Sequence, residues 1–500
     1  MGVFTSKPAR PATVPTDTII PLHSKDDTKS LRPFVLDFTL CFDDVLDAEK
    51  LRSSLERLME IGDWRKLGAR LRLNDAGKLE YHIPASFNAQ RPAFRYSHME
   101  YETSISEHPL ASKLPRPTSR PAVLNRTDEF QSLLRRQGGP TKLEDYLDSD
   151  DGQLSLHIVC FSDATLVTLT WPHTFLDAMG RRALYDAWLC VLNGREADVL
   201  PLHGFSSDPL AGLGTQPTEP YALEKHQITG FAFFLFALRY AFELIWYPAE
   251  EMRIICLPAP HLNAMKATAL SELCASSPDT DTDTDTDTKP FLSDGDVISA
   301  WLARLALSPT LPQSSPRTVL IMNAFGLRGV LANDLLPPRK AYIANASNSV
   351  HALLPAHEIL TRPLSYTACA VRHSIAQQGT RAQIEALAAI ERATYASSGR
   401  SPVFGDRSMK LVVVSNWTKT KLFELDFSAA VVKAGVEVGL GRRHGVGRPR
   451  YVHSCPYSNG VPIRNAFPVF GRDAQGNYWM SGMLRAETWR SIEEGFKREL

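Results

Sequence analysis

The chain has few of the features that mark several common classes of protein. Its seven cysteines are scattered and form no CxxC pair, which argues against a disulfide framework and a structural zinc site. Basic and acidic residues balance at 55 each, so no net charge points to nucleic acid as a partner. The first fifteen residues lack the apolar core of a secretory signal. These absences predict a cytoplasmic protein without a bound metal.

Long hydrophobic runs are also scarce, and the strongest one is Ile228–Tyr247. Its uncharged part ends at Leu238, before Arg239 and Glu243. A spanning helix needs about 20 mostly apolar residues, and charges within the bilayer are costly. The run therefore predicts a buried or surface-docked helix and no transmembrane span, with peripheral membrane contact left open.

One stretch does carry a clear signal, and it reads as a strand, a sharp stop and a helix. Leu166–Thr170 is a short β-favouring run, and Pro172 is expected to end that strand. Apolar residues then recur at helical spacing from Leu176 until Asn193-Gly194 supplies a stop. His173 and Asp177 lie between the two elements, where a general base can be mounted rigidly.

Strands and helices alternate along the rest of the chain. Phe34–Phe42 and Leu154–Phe161 predict strands, and Leu67–Tyr81 predicts a hairpin. Leu46–Ile61 and Leu292–Leu307 have helical periodicity, the second with a capping box formed by its Ser and Asp residues. This alternation predicts an α/β sandwich.

An Asp-Thr repeat interrupts the pattern within residues 275–289. Alternating carboxylates have nothing to bury and repel one another, which predicts a disordered surface loop. The repeat lacks the EF-hand pattern, so no metal site is predicted there.

The segment HTFLDAMG, with His173 and Asp177 as HxxxD, resembles the active-site motif of the BAHD acyltransferases, which belong to the chloramphenicol-acetyltransferase-like, CoA-dependent group. Further matches follow in the family's order. Arg328 matches a family arginine, and Asn345 matches an asparagine, although Ile343-Ala344 replaces the aromatic-Gly pair before it.

Near the C-terminus, Ser415 and Trp417 match the family's hydroxyl-x-Trp segment. Asp426-Phe427 begins the DFGWG motif, but Ser428-Ala429-Ala430 replaces its Gly-Trp-Gly. This degraded motif and the inserted loops make the chain look more like fungal members, such as trichothecene 3-O-acetyltransferases, than like plant ones.

The resemblance implies a two-domain α/β sandwich with a tunnel between the domains. The N-terminal domain would be residues 1–215, the crossover linker 216–252 and the C-terminal domain 253–500. Acyl-CoA, with acetyl-CoA favoured, would supply the acyl group to a hydroxyl, or less favourably an amine, of a small hydrophobic secondary metabolite. A monomer is expected.

The chemistry needs no metal and no covalent enzyme intermediate, because a thioester is already activated. His173 would take the proton of the attacking acceptor, and a neutral imidazole suits that task at pH 7. Ser415 and Trp417 are candidate oxyanion or substrate contacts by their position in the motif, although packing at a strand end is an equal alternative for each.

Several assignments stay open at this level. Asp177 could orient His173 as in a hydrolase triad, whereas the resemblance implies that it pairs with Arg328. Arg442 and Arg443, in the Gly-rich segment 439–450, could hold CoA phosphates or form an exposed basic turn. A free-standing condensation-type domain and a catalytically silent binding protein of the same fold are the rival functions.

Overall fold

The structure is a computed structural model that describes residues 10–276, 290–435, 444–459 and 464–498. The strands within those ranges are β1 Thr18–Pro21, β2 Val35–Phe42, β3 Val45–Leu46, β4 Arg70–Leu73, β5 Leu79–Ile83, β6 Arg95–Glu100, β7 Ala122–Arg126, β8 Ser155–Cys160, β9 Thr165–Pro172, β10 Glu250–Leu257, β11 Thr318–Gly326, β12 Ser347–Pro355, β13 Lys410–Asn416, β14 Val431–Lys433, β15 Tyr451–Tyr457, β16 Ala466–Arg472 and β17 Tyr478–Arg485. The α-helices are α1 Ala48–Leu58, α2 Gln131–Leu134, α3 Leu143–Leu147, α4 Ala178–Leu192, α5 Gly230–Trp246, α6 Ala259–Ser276, α7 Asp294–Leu307, α8 Ala356–Thr361, α9 Leu364–Gln378, α10 Arg381–Ser398 and α11 Ala486–Arg498.

Two mixed sheets organise these elements. A five-stranded sheet has the order β15-β2-β9-β8-β6, and a seven-stranded sheet has the order β12-β11-β13-β16-β17-β10-β7. A large apolar core lies against the first sheet, and a second core lies between the second sheet and helices α6, α7 and α9. The predicted α/β sandwich is confirmed.

The two halves of the chain exchange strands. Strand β15 comes late in the chain but pairs with β2, so that Tyr451 lies opposite Cys41. Strand β7 comes early but pairs with β10 at the edge of the larger sheet. The domain limits at residues 215 and 252 stay a prediction.

Local signals in the sequence determined several elements. Helix α1 begins after Asp47, whose side chain accepts a hydrogen bond from the Lys50 N–H. Helix α7 has the expected capping box between Ser293 and Asp296. The predicted hairpin is β4–β5, closed by a turn in which Gly77 has φ +72°.

Two further details of the sequence-based prediction can be compared with the structure. Pro172 ends the strand as predicted: it is the last residue of β9, paired with Val35. Proline is tolerated there because the ladder ends at that residue. Helix α6 continues through Ser276, so Ala275 and Ser276 are helical and do not belong to the predicted loop; the remaining residues of that prediction, 277–289, lie outside the described ranges.

Most of the apolar run Ile228–Tyr247 forms helix α5. The helix is docked on the surface, and none of the residues within α5 is buried. In the part of the chain that the structure describes, no helix has both the length and the apolar character that a membrane span requires. All seven cysteines are free thiols, as predicted.

Candidate active site

His173 lies in a tight turn between β9 and α4. Its backbone N–H donates to the Phe34 carbonyl at 2.9 Å, and the Phe175 N–H donates to the Pro172 carbonyl at 2.9 Å. The first bond ties the turn to the chain just before β2, and the second closes the turn itself. The histidine is therefore positioned by the central strands of the five-stranded sheet on one side and by helix α4 on the other.

Asp177 caps the helix that follows this turn. Its side chain accepts a hydrogen bond from the Gly180 N–H at 2.7 Å, and helix α4 begins only at Ala178. His173 and Asp177 thus do not share a helical face, because the residues between them are not helical. Gly180 is required by a close approach, since a Cβ at that position would lie 1.9 Å from the Ile343 carbonyl oxygen.

Asp177 and Arg328 form a two-pronged ion pair across 151 residues of sequence, with both N–O distances at 2.9 Å. Arg328 also donates to the carbonyls of Tyr342 and Ala344, and the Ala346 N–H donates to Asp177. Burial opposes the charge of Asp177, but Arg328 outweighs it and lowers the pKa of Asp177. Both carboxylate oxygens are engaged by these donors, which leaves the triad arrangement without support.

A second buried contact, made by Asn345, holds the turn that carries His173. The Asn345 side chain donates to the His173 carbonyl at 3.0 Å and to Asp26 at 2.7 Å, and the Asn345 N–H also donates to Asp26 at 2.8 Å. Asp26 is buried, and burial raises the pKa of Asp26. Sequence analysis missed Asp26, because an isolated aspartate in a polar N-terminal stretch carries no signal.

The protonation state of His173 follows from its surroundings. Its Nδ1 is buried and has no hydrogen-bond partner in the described structure. Burial lowers the pKa of His173, and the nearby charge of Arg181 lowers it further, although the charge of Asp177 acts in the opposite direction. The imidazole is therefore neutral at pH 7 and able to accept a proton.

Arg181 is a second residue that sequence analysis missed. Its side chain is buried, and its guanidinium lies 3.5 Å from the ring centre of Phe38 and 5.0 Å from that of Trp417. Its Nε and Nη2 have no hydrogen-bond partner among the described residues. Burial lowers the pKa of Arg181 to about 10, so the side chain is still cationic at pH 7. A helical arginine in a sequence ordinarily indicates an exposed face, which is why no signal distinguished it.

Ser415 and Trp417 come together where β13 ends. The Trp417 indole N–H donates to the Ser415 Oγ at 2.9 Å, and the Trp417 backbone N–H donates to the Val469 carbonyl. The indole ring stacks on Phe470 and meets the edge of Phe38. Because the indole N–H is already used, the Ser415 hydroxyl is the better donor to a ligand.

The remaining site predictions concern CoA and metals. Arg442 and Arg443 lie outside the described residues. Among the described residues, a polar cavity is lined by Arg448, Arg472, Gly445 and Gly476. Within the described ranges, no cluster of histidine, cysteine, aspartate and glutamate has the arrangement of a metal site.

Full-length relatives place the chain in a family, although no family model matches it. It is 44% identical to a protein of Penicillium decumbens named transcriptional regulator calD, with 100% of this chain and 99% of that one covered. It is 41% identical to acetyltransferase adrJ of Penicillium roqueforti, with 99% and 98% covered. Its fold is similar to that of F. sporotrichioides TRI101, solved with coenzyme A and T-2, at a TM-score of 0.66, 17% identity and coverage of 96% and 98%.

The identities extend over essentially the whole length of both relatives, and the solved structure has the same two-domain fold. The order of motifs in the sequence, from HxxxD to the degraded DFGWG, agrees with that result. The chain belongs to the BAHD-like family of fungal acyltransferases.

Proposed function

We propose that the protein transfers an acetyl group from acetyl-CoA to a hydroxyl group of a small hydrophobic secondary metabolite. The observation that carries this proposal is the mounting of His173: a neutral imidazole on a turn that is held by long-range hydrogen bonds from the His173 N–H to Phe34 and from Asn345 to the His173 carbonyl. The name of the acetyltransferase relative and the coenzyme A bound to the solved structure support the choice of acyl donor.

The reaction begins with His173 as general base. As the acceptor oxygen attacks the thioester carbonyl, the imidazole takes the hydroxyl proton, a contribution typically worth about 10²–10⁴-fold in rate. When the tetrahedral intermediate collapses, the carbon–sulfur bond breaks and the imidazolium returns the proton to the departing thiolate. No metal and no covalent intermediate on the protein is needed.

Ser415 is the proposed donor to the oxyanion. The Trp417 indole N–H occupies one lone pair of the Ser415 Oγ, so the hydroxyl hydrogen is directed elsewhere and can donate to a ligand. Trp417 then acts as a positioning residue rather than as a second donor.

Asp177 and Arg328 are proposed as structural partners. Their ion pair links the turn that carries His173 to the segment just after β11, and so fixes the wall of the proposed tunnel between the two domains. Arg442 and Arg443 are proposed to hold the CoA phosphates, and Arg448 and Arg472, which line the polar cavity, are proposed as further cationic groups. We also propose a monomer in the cytoplasm.

Two rival functions are addressed by the same residues. A condensation-type domain normally has two adjacent histidines and a glycine after the aspartate, whereas this chain has Pro172 and Ala178. One relative is named a transcriptional regulator. Neither a regulator nor a catalytically silent binding protein needs a neutral histidine held rigidly in a turn.

The test is release of CoA thiol from acetyl-CoA in the presence of hydroxylated terpenoids, polyketides and alkaloids, with mass-spectrometric detection of the ester. The expected result is an acetylated product with the wild-type chain and almost none with His173→Ala. Transfer that proceeds equally well with His173→Ala would overturn the general-base role. Acetyl-CoA binding by calorimetry without turnover on any acceptor of the panel would support the silent binding protein.

A further inference from the structure

Helix α5 presents an unusual outer face. Its largest apolar side chains point into solvent at spacings of three and four residues, which places them on one side of the helix. Phe231 is 72% exposed and Ile245 is 78% exposed. The exposed set comprises Phe231, Phe234, Leu238, Phe242, Ile245 and Trp246. A contiguous exposed apolar face of this kind marks an interaction site.

The inner side of the same helix is firmly docked. Phe233 and Phe236 pack against a small core formed by Ile228, Leu320 and Met409. The outer face is therefore the side left over after docking, and its orientation is fixed by the inner contacts. Glu243 adds an ion pair with Lys410 at the start of β13.

Arginines surround this face. A groove of about 670 Å³ runs beside the helix and is lined by Arg239, Arg317 and Arg407 together with Leu238, Phe242 and Trp246. Among the described residues, none of these three arginines forms a salt bridge, and Glu243 in the same groove is already paired with Lys410 and Arg485.

Cations also mark both ends of the helix. The Arg400 guanidinium lies 3.5 Å from the ring centre of Phe233, and that of Arg485 lies 3.7 Å from the ring centre of Tyr247. Apolar rings flanked by arginines, of which Arg239, Arg317 and Arg407 have no ion pair among the described residues, complement a surface that is apolar inside and anionic at its boundary.

A second copy of the chain fits this face poorly. Helix α5 has 17 residues. At 1.5 Å per residue and a diameter near 10 Å, its face covers roughly 250 Å² in projection. A stable protein interface needs about 800 Å² from each partner. A two-fold contact would also bring the same arginine-rich patch of both copies together, and like charges repel.

We propose that helix α5 docks in the plane of a bilayer surface that contains anionic phospholipids. The outer rings enter the boundary between headgroups and acyl chains, with Trp246 and Tyr247 at the depth that amphipathic aromatic rings prefer. Arg239, Arg317 and Arg407 bind the anionic headgroups from the adjoining groove.

Helix α5 contacts the strand that carries Ser415, so docking on a membrane would affect how an acceptor reaches the proposed active site. Strand β13 begins at Lys410, which contacts α5, and reaches Ser415, the proposed donor to the oxyanion. At about 3.3 Å per residue, these positions are roughly 17 Å apart. A membrane on α5 would lie close to the site, where a hydrophobic acceptor concentrated in the bilayer could enter. This consequence rests on the proposed function, whereas the docking itself does not.

The test is co-sedimentation of the full chain with vesicles of phosphatidylcholine alone and of phosphatidylcholine mixed with phosphatidylserine. We expect binding to the mixed vesicles at least tenfold above binding to the neutral ones. Each arginine near an anionic surface contributes roughly fivefold, so Arg239→Gln/Arg407→Gln should lose more than tenfold on mixed vesicles. Phe234→Ser/Phe242→Ser should lose binding to both.

Ile19→Ser is the matched control, because Ile19 is also a half-exposed apolar residue but lies on β1. It should bind like the wild type. Equal binding to both vesicle types, or wild-type binding by Phe234→Ser/Phe242→Ser, would overturn the proposal. So would a dimer in sedimentation equilibrium that Phe234→Ser/Phe242→Ser dissociates, since the occupant would then be a second copy. Thiol release with a water-soluble acceptor, measured without vesicles, reports failure of the proposed function separately.

Discussion

The turn around His173 and the outer face of helix α5 differ in whether their charged groups are paired and their apolar rings are buried. At the turn, Asp177 and Arg328 satisfy each other within the chain, and the neighbouring rings are buried. At the helix, arginines without ion pairs stand beside phenylalanines in solvent. A buried ion pair that is satisfied inside the chain holds the shape of the turn. A region that leaves both kinds of group unpartnered is complementary to something outside it.

The largest expected effect concerns His173. His173→Ala should remain folded and lose about 10²–10⁴-fold in turnover, because it removes the base and leaves the backbone hydrogen bonds that hold the turn. Turnover of the acceptor found by the thiol-release screen measures this, with a thermal melt to verify folding. His98→Ala, at a partly exposed histidine on β6, is the control and should keep full activity. A loss of less than threefold for His173→Ala would exclude the general base.

The ion pair beneath the turn should dominate stability. Asp177→Ala leaves the mostly buried Arg328 without its ion-pair partner, and Arg328→Ala does the same to the buried Asp177, so each should cost on the order of 3–5 kcal/mol of unfolding free energy. The double variant should lose much less than the sum, because the two residues form one interaction. Chemical denaturation of the three variants measures the coupling.

A matched pair sets the scale for that result. Arg57 and Glu196 are also far apart in sequence, but their side chains are 49% and 40% exposed. Glu196→Ala should therefore cost far less unfolding free energy than Asp177→Ala or Arg328→Ala, because solvent screens an exposed pair. Additive losses at Asp177 and Arg328 would mean that the pair does not hold the turn.

Asp26 offers a test in which two substitutions separate charge from hydrogen bonding. Asp26→Leu leaves both Asn345 donors unpaired and should cost about 1–3 kcal/mol. Asp26→Asn keeps the accepting oxygen and removes the charge. Because burial raises the pKa of Asp26, its contribution to stability is full below the unfolded pKa and is lost as pH rises through the folded pKa.

The raised pKa of Asp26 also fixes the direction in which the stability difference between Asp26→Asn and the wild type changes with pH. Relative to the wild type, Asp26→Asn should become more stable as the pH is raised from 4 to 8, measured by denaturation at each pH. A stability difference that does not vary with pH over that range would show that Asp26 is not held protonated by the fold.

Arg181 should affect the pH profile more than the fold. Since its charge lowers the pKa of His173, Arg181→Met should move the acidic limb of the kcat/KM profile to higher pH. Arg181→Lys should keep the limb near its wild-type position. Arg182→Met, one residue along and paired on the surface with Asp186, should leave the profile unchanged. An acidic limb that does not move in Arg181→Met would argue against a charge effect on the base.

The smallest effect is expected on helix α5. Phe234→Ser/Phe242→Ser should change unfolding free energy by no more than about 0.5 kcal/mol per site, because both rings are already in solvent. Thermal melts without lipid measure this. A large loss of stability would mean that these rings contribute to the fold, and the contrast between the two regions would disappear.

Local chemistry in the sequence determined much of this protein. The strand before His173, the helix after it and the caps at Asp47 and Ser293 follow from short-range propensity and hydrogen bonding, so periodicity and capping residues predicted them. The HxxxD motif pointed to His173 for the same reason: its spacing is local. Helix α5 was predicted as docked because Arg239 and Glu243 interrupt its apolar run.

Only the tertiary structure decided which distant residues complete the site. Asp26 and Arg181 carried no signal, since their importance comes from burial beside segments that are remote in the chain. The exchange of β7 and β15 between the sheets is likewise invisible to periodicity, because strand pairing is set by long-range packing rather than by the strand itself. The exposed direction of the α5 rings was fixed in the same way, because a helix that is apolar on nearly every side does not reveal which face the rest of the chain will cover.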